Sequence, residues 1–360
     1  MFRFLVLLVV LGVIGVGVAE WANEVWTETG PAPRETVVLI APHSRTHDIA
    51  RQIQDAGAVP NALLFEAELH LHGAASKAKA GEYALPAYAS MADIARILVE
   101  GKSIQHKLTA AEGLTSDMIQ KLVTADPVLV GNSGPVPAEG TLLPETYLFT
   151  RGETRAHLLA KMAKAQEKYL AAQWGHRADD LPFRSPREAV ILASIVEKET
   201  ALPAERRHIA AVFLNRLKVG MKLQTDPTII YGLTKGYPLG RGIRQSEIEG
   251  VTPYNTYVIA GLPPGPICNP GQDSIAAVLN PDQSDDLFFV ATGQGGHVFS
   301  ATISGQARNV AAYRAFQRQQ PAPASKQVQS GTRLESPVFS VPDAATPKLP
   351  PLRHKATRHR

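Results

Sequence analysis

The sequence predicts an α+β protein with an N-terminal transmembrane helix, a small α+β domain, a larger mixed α/β domain and a disordered C-terminal tail. Three observations lead to this prediction. One apolar run occupies the N-terminus, strand-like and helix-like segments alternate through the middle, and proline, serine, lysine and glutamine dominate after about residue 319. A chain of 360 residues has room for two domains. We place the anchor at 1–21, the domains at 36–104 and 105–318, and the tail at 319–360.

The N-terminal apolar run extends from Phe4 to Ala19 and follows Arg3. It is slightly shorter than the roughly 20 residues that span a bilayer, but Phe2 and Trp21 extend it to the two interfaces. The alternative is a cleavable signal peptide, because the small residues Gly17-Val-Ala19 suit a cleavage site. Either interpretation exports the remainder of the chain.

Composition argues against several classes of protein. The formal charge of +4 is only mildly basic, and no internal basic patch carries interleaved aromatic residues, which disfavours nucleic-acid binding. Cys268 is a lone cysteine, so an internal disulfide and a multi-cysteine metal site are excluded, and we expect a small buried side chain. With no phosphate-binding glycine motif and no His/Asp/Glu cluster at ligand spacing, no metal or organic cofactor is expected.

The first domain alternates short strands and helices. We expect strands at 37–40 and 82–85 and helices at 46–56 and 60–70, with a third helix that begins after the N-cap Ser90 and ends at Gly101. A strand at 105–109 and a helix at 115–124 lead into the second domain. These patterns alone indicate a small α+β domain.

The segment Ile191-Leu-Ala-Ser-Ile-Val-Glu-Lys-Glu-Thr200 predicts a buried helix that ends in carboxylates. Ser185 is a natural N-cap, with proline at the first helical position and Glu188 completing a capping box. Residues 189–196 are apolar except for one serine, as in an interior helix. Burial and the helix dipole should raise the pKa of Glu197, as a general acid requires. The alternative is that 197–199 form a solvated helix end.

Several candidate sugar-binding residues follow this helix. Gln224, Thr225 and Asp226 form a turn whose side chains suit sugar hydroxyls, although Asp226 could instead cap a helix that begins at Pro227. Further candidates for sugar contact are two phenols, an amide, a proline in a rigid loop and a histidine at a hairpin end: Tyr254, Tyr257, Asn255, Pro263 and His297. For Tyr257 and the loop, a purely structural role is the alternative.

Four motifs in fixed order closely resemble the YceG-like family of membrane-bound endolytic murein transglycosylases. They are Glu197-Lys-Glu-Thr200, Leu223-Gln-Thr-Asp-Pro-Thr-Ile-Ile-Tyr-Gly232, Thr252-Pro-Tyr-Asn-Thr-Tyr257 and Gly261-Leu-Pro-Pro-Gly-Pro266. The resemblance also covers Lys79-Ala-Gly-Glu-Tyr83, Leu143-Pro-Glu-Thr-Tyr147 and Phe288-Phe-Val-Ala-Thr-Gly293 with Gly295-Gly-His297, so it extends from about 36 to 318. The chain departs from the family at Arg308-Asn309 and at Leu143-Pro-Glu-Thr.

The resemblance implies a LysM-like domain at 36–104 and a YceG-like catalytic domain at 105–318. It implies a lytic transglycosylase that cleaves the β-1,4 bond from MurNAc to GlcNAc in nascent glycan strands without water. The products carry 1,6-anhydro-MurNAc ends, and cleavage terminates strand elongation. It further implies a single-pass protein of the inner (plasma) membrane with an extracytoplasmic catalytic domain. Peptidoglycan is then the substrate, and penicillin-binding-protein synthases are candidate partners.

The family's catalytic glutamate falls on Glu197, which would act first as acid and then as base. Glu199 would then bond within the site, or pair with Arg206 or Arg207 of the next helix. Two other functions are compatible with the sequence. One is a non-catalytic glycan-binding scaffold, and the other is a hydrolase that uses water with Glu197 and Asp226 as its carboxylate pair.

Overall fold

The computed structural model describes residues 2–319 and divides the chain into two compact units. The first comprises Met1–Ala111 and Ser116–Gln166, and the second comprises Glu112–Thr115 and Glu167–Arg360. The division falls within the helix Arg155–Gly175, so the elements at 106–149 group with the first unit. The predicted tail, 320–360, lies outside the described residues.

The first unit contains two antiparallel pairs of strands and five complete helices. Its elements are α1 (Phe2–Thr27), β1 (Thr36–Ile40), α2 (Thr46–Asp55), α3 (Ala62–Leu71), β2 (Gly81–Leu85), α4 (Met91–Glu100), β3 (His106–Thr109), α5 (Ser116–Ala125) and β4 (Thr146–Phe149), followed by the first part of α6 (Arg155–Gly175). β1 pairs with β2 from Thr36↔Leu85 to Ile40↔Gly81. β3 pairs with β4 from His106↔Phe149 to Thr109↔Thr146.

The predicted start and end of α4 are both present in the structure. The Ser90 hydroxyl accepts from the Asp93 N–H, the Asp93 carboxylate accepts from the Ser90 N–H, and Gly101 ends α4 with a φ of 74°. Tyr83 and Phe65 are fully buried in the core between the sheet and the helices. Because the apolar positions of strands and helices face one another, this half folds around its own hydrophobic core.

The N-terminal apolar run is helical, as predicted, and continues beyond residue 21 to Thr27. Within the described residues, one helix is long and apolar enough to cross a membrane, over Val9–Thr27. Its last turns belong to the core of the first unit, where Trp26 stacks on His72 at a ring separation of 4.3 Å. The helix is consistent with a single-pass anchor.

The second unit is built around α7. It contains the end of α6, α7 (Pro186–Glu199), a 3₁₀ turn (Pro203–Glu205), α8 (Arg206–Lys218), α9 (Asp226–Thr234), α10 (Gln245–Glu249), α11 (Gln272–Leu279), β5 (Phe288–Ala291), β6 (His297–Ser300) and α12 (Ile303–Gln319). α7 packs against α8, α9 and α11, and every residue from Ala189 to Val196 is buried. β5 and β6 form the predicted hairpin, from Phe288↔Ser300 to Ala291↔His297.

The start of α7 differs from the prediction in one detail. The Ser185 hydroxyl caps the Glu188 N–H, with Pro186 in the first turn, as expected. The Glu188 carboxylate, however, accepts from the Arg184 N–H at 2.5 Å instead of closing a capping box on Ser185. At the start of α11, Gly271 rather than Asn269 occupies the cap position, and the Asn269 amide donates to the Leu114 carbonyl.

Candidate active site

The two glutamates at the end of α7 have different surroundings, because residues two apart on a helix face different directions. Glu199 is 3% exposed and Glu197 has a side chain that is 6% exposed. The alternative that 197–199 form a solvated helix end is therefore wrong. Both carboxylates are therefore largely buried, and their hydrogen-bond and charge partners distinguish them.

Glu199 lies against the loop that precedes α9. The Thr225 hydroxyl donates a hydrogen bond to its carboxylate, and the Thr225 N–H donates to the Thr256 hydroxyl at 3.0 Å. Burial and, to a smaller extent, the nearby Asp226 carboxylate raise the pKa of Glu199 to about 7, although the Thr225 hydrogen bond and the Arg216 charge oppose the shift. Glu199 is thus a carboxyl group that exchanges its proton near neutral pH.

Arg216 supplies the buried positive charge near Glu199. Its guanidinium donates to the carbonyls of Leu287 and Leu223, both at 2.7 Å, which ties α8 to the loop before α9 and to β5. Burial lowers the pKa of Arg216 to about 10, so it stays charged near neutral pH. Arg216 is 2% exposed and lies in the interior of the second unit.

Asp226 and Tyr257 form the more accessible side of this cluster. The Tyr257 phenol donates to the Asp226 carboxylate at 2.7 Å, and both residues are half-buried. Burial raises the pKa of Asp226 and that of Tyr257, while the hydrogen bond from Tyr257 opposes the shift of Asp226. Asp226 is the first residue of α9 and Thr225 holds the cap position, so Asp226 is not the helix cap.

Glu197 is held by a different set of partners. Its carboxylate accepts from the Gly271 N–H at 2.9 Å and lies 3.7 Å from the Arg206 guanidinium. Arg206 also contacts Asp273 at 2.9 Å and Glu112 at 3.4 Å. Of the alternatives for Glu199, the pairing with Arg206 is not formed, since Arg206 pairs with Glu197. Together these contacts join α7, α8 and the start of α11.

Asn255 is structural in this arrangement. It is 1% exposed, and its side-chain amide donates to the carbonyls of Glu247, Ile248 and Gly250 at 3.1, 2.9 and 2.6 Å. Its carbonyl oxygen accepts from the Tyr257 N–H at 3.0 Å. Because both ends of the amide are occupied by backbone groups, the sugar contact expected of Asn255 is not available in this structure.

The remaining candidates lie in three places. Gln224 is half-buried beside the Glu199 cluster, with a φ of 51°, and its N–H donates to the Thr256 carbonyl. Tyr254 packs against Tyr231 with the rings 4.8 Å apart. Pro263 lines a cavity beside the start of α7.

His297 does not join the cluster around Glu199. Its side chain is 5% exposed, and both its ring Nδ1 and its backbone N–H contact the Glu205 carboxylate at 2.7 Å. This contact fixes the turn of the β5–β6 hairpin against the 3₁₀ turn before α8. Within residues 2–319, no group of three or more His, Cys, Asp or Glu side chains is arranged to hold a metal ion.

The whole of this cluster, and most of the chain, lies within a segment that matches one family model. The model is described as the YceG-like family, and the match covers residues 38–312. The chain belongs to the YceG-like family. Sequence and comparison therefore agree on the family that the motifs at 197–266 indicated.

Curated relatives of this YceG-like chain are endolytic murein transglycosylases. One from Bacillus subtilis (strain 168) is 38% identical over 168 residues, which is 46% of this chain and 45% of the relative. One from Streptococcus pneumoniae serotype 2 (strain D39) is 30% identical over 306 residues, covering 72% of this chain and 54% of the relative. This chain thus spans about half the length of the curated relatives it matches.

A solved structure described as a YceG-like protein of Listeria monocytogenes also matches. It is 30% identical, and the match covers 77% of this chain and 99% of that one, with a TM-score of 0.47.

Sequence reasoning about this YceG-like chain assigned no role to Arg216 or to Thr256. A signal for Arg216 was present, because it lies three and four residues after Phe213 and Val212 on the buried face of α8. Thr256 carried no such signal: its hydroxyl bonds to Thr225 and Thr228 only because the chain folds back over an interval of about thirty residues.

Proposed function

We propose that this YceG-like chain is an endolytic murein transglycosylase. The observation that carries the proposal is the buried Glu199 carboxyl, whose pKa is raised to about 7 next to a second carboxylate, Asp226. A carboxyl group with this pKa is partly protonated at neutral pH, so it can act first as an acid and, once it has given its proton away, as a base. The curated relatives and the family model support the same activity.

We propose Glu199, rather than Glu197, as the acid. The resemblance assigned this role to Glu197, but that carboxylate already has a backbone N–H and a guanidinium as partners. Glu199 has the raised pKa, and it contacts the Leu223–Gly232 motif through Thr225. Because Glu199 is 3% exposed in the free protein, the proposal requires neighbouring side chains to move when glycan binds.

The reaction needs one carboxyl group and no water. Protonated Glu199 gives its proton to the glycosidic oxygen as the bond between that oxygen and C1 of MurNAc breaks. The C6 hydroxyl of the same MurNAc attacks C1, and the bond from O6 to C1 closes the 1,6-anhydro ring. The Glu199 carboxylate takes the C6 hydroxyl proton and is ready for another cycle.

Asp226 is proposed to stabilise the positive charge that develops at the anomeric carbon. Its hydrogen bond from Tyr257 favours the ionised form against the burial that raises its pKa. An anion placed where positive charge develops lowers the barrier more in a desolvated site than in water. Gln224 and Tyr254 are proposed to contact the sugar, with Pro263 farther along the glycan.

The proposal places the protein at a membrane. The apolar α1 would cross the bilayer once, with the elements that follow it outside the cytoplasm. The two-stranded sheet flanked by short helices in residues 36–104 supports a LysM-like module, and strand termination would follow from internal cleavage of nascent glycan. A penicillin-binding-protein synthase remains the partner that the family resemblance suggests.

Product analysis tests the proposal. The full chain in detergent is incubated with purified uncrosslinked glycan strands, beside Glu199→Gln, and the products are read by mass. We expect internal fragments with 1,6-anhydro-MurNAc ends from the wild type and none from the variant. Uncut strands with retained glycan binding would instead identify a scaffold.

A hydrolase is a second candidate, because Asp226 lies close enough to raise the pKa of Glu199 and could act as the partner of a two-carboxylate mechanism. A hydrolase adds water to the anomeric carbon and leaves reducing ends. Reducing ends in place of anhydro ends would therefore select it.

A further inference from the structure

A cavity of about 520 Å³ lies in the second unit beside the N-terminus of α7. One wall is apolar and includes Leu262, Pro263 and Pro264 of the rigid loop; the rest of the lining comes from Pro182, Arg184, Ser185, Arg187, Glu188, Ile191 and Leu217. Its lining shares no residue with the cluster of Glu199, Thr225, Asp226, Tyr257 and Arg216.

Both arginines of this cavity are exposed, and among residues 2–319 neither guanidinium forms an ion pair with a carboxylate. Glu188 is the acidic residue of the lining, and its carboxylate is already bound to the Arg184 N–H at 2.5 Å. The lining therefore carries a net positive charge, and the guanidinium groups of Arg184 and Arg187 have N–H donors left for a ligand. The positive end of α7, a helix of fourteen residues, adds to this potential.

A second cavity provides the contrast. It has a volume of about 550 Å³ and is also lined by two arginines, Arg206 and Arg207. There, Arg206 pairs with Asp273 at 2.9 Å and Arg207 pairs with Asp282 at 3.0 Å. Both arginines of that cavity are therefore paired with carboxylates. The arginines of the cavity beside α7 have no such partners among the described residues, so this cavity is the better suited of the two to an anionic ligand.

The cavity is connected to a residue assigned to the glycan. At Gly265, in the same loop, an added Cβ would lie 3.1 Å from the Tyr254 hydroxyl and 3.5 Å from a terminal nitrogen of Arg187. The phenol and the guanidinium therefore approach the same stretch of backbone. A glycan strand in contact with Tyr254 would carry its substituents toward Arg187.

We propose that this cavity binds the peptide stem of the glycan strand, with Arg184 and Arg187 holding stem carboxylates and the proline and leucine wall accepting aliphatic side chains. Guanidinium groups bind carboxylates in two-pronged hydrogen bonds, and a wall of prolines is rigid before the ligand arrives. The inference rests on the proposed function, because peptide stems are attached to MurNAc. It makes the cavity a determinant of which strands are cut.

Calorimetry with an isolated stem peptide tests the cavity without relying on cleavage. The full chain in detergent is titrated with the free acid L-Ala-γ-D-Glu-L-Lys-D-Ala-D-Ala and with the same peptide amidated at its carboxyls. We expect the free acid to bind the wild type, and Arg184→Gln/Arg187→Gln to bind it about tenfold more weakly. Arg177→Gln, an exposed arginine outside the cavity, should bind as the wild type does. Unchanged melting temperatures exclude misfolding.

Three results would overturn the assignment. They are equal binding of the acid and the amidated peptide, wild-type binding by the double variant, and displacement of the peptide by glycan strands stripped of stems. Stripped strands keep the lactyl carboxylate, so displacement by them would place that group in the cavity.

Cleavage adds a separate measurement. If the proposed activity holds, the double variant should raise KM for stem-bearing strands about tenfold and leave stripped strands unaffected. If no strand is cleaved, the activity fails while the calorimetry still decides the peptide site.

Discussion

Tyr257 donates its phenolic hydrogen to the Asp226 carboxylate at 2.7 Å, across 31 residues of sequence. This hydrogen bond joins the start of α9 to the Thr252–Tyr257 motif beside the buried Glu199. The Leu223–Gly232 and Thr252–Tyr257 motifs, which are separate in the sequence, thereby form one polar cluster around Glu199.

Replacement of Tyr257 by phenylalanine should raise the pKa of Asp226 further, because the hydrogen bond that opposes its upward shift is lost. If ionised Asp226 stabilises the transition state, the acidic limb of the pH profile of kcat/KM moves to higher pH. At a pH on that limb, kcat/KM of the variant should be about tenfold below the wild-type value. The rate of glycan cleavage from pH 4 to pH 8 measures this. An unmoved acidic limb would remove Asp226 from the mechanism.

Substitution of each α7 glutamate by glutamine tests which of the two is the acid. Glu199→Gln should lower kcat by at least about a hundredfold, since an amide cannot give up a proton. Glu197→Gln should keep most of the activity and lose about 1–2 kcal/mol of stability, because Arg206 keeps Asp273 and Glu112 as partners. Anhydro ends and melting temperatures are measured for both. The reverse pattern would restore Glu197 as the acid.

The raised pKa of Glu199 should also appear in the pH dependence of stability. Its usual pKa is 4.5 and the folded protein raises it to about 7. Between these values the folded chain keeps a proton that the unfolded chain has lost, so wild-type stability falls as the pH rises from 4.5 to 7 and the loss levels off above that. The loss at neutral pH is on the order of 3 kcal/mol.

Glu199→Gln removes this loss, because the amide stays neutral. The variant should match the wild type near pH 4.5 and be more stable by roughly 5–10 °C in melting temperature at pH 8. Calorimetric melts at both pH values measure the difference. Parallel curves for the two proteins would show that Glu199 titrates normally.

Asn255→Ala should act on the fold rather than on substrate affinity. It leaves three backbone carbonyls and the Tyr257 N–H without their partner, at a cost of roughly 2–3 kcal/mol. Denaturant unfolding measures this loss, and KM at low temperature should stay near the wild-type value. A large rise in KM with unchanged stability would return Asn255 to the list of sugar contacts.

Local chemistry explains why several elements followed from the sequence. Ser185 and Pro186 mark the start of α7, Ser90 and Asp93 close a capping box, and glycines between two apolar runs predict the β5–β6 hairpin. These signals act within a few residues, so the chain needs no distant partner to express them. Helix α6 had no comparable cap signal, and its apolar positions do not form a clear stripe.

The sequence by itself determined that α7 is buried, because residues 189–196 offer no polar face to water. It also determined that two glutamates stand in the last turn of this helix. Its motifs also determined the family. Only the tertiary structure decided which carboxylate is paired and which is desolvated. Glu197 meets Arg206 and Gly271, whereas Glu199 meets Thr225 and Asp226. A pKa depends on charges and solvent within a few ångströms, and those neighbours come from positions up to 74 residues away.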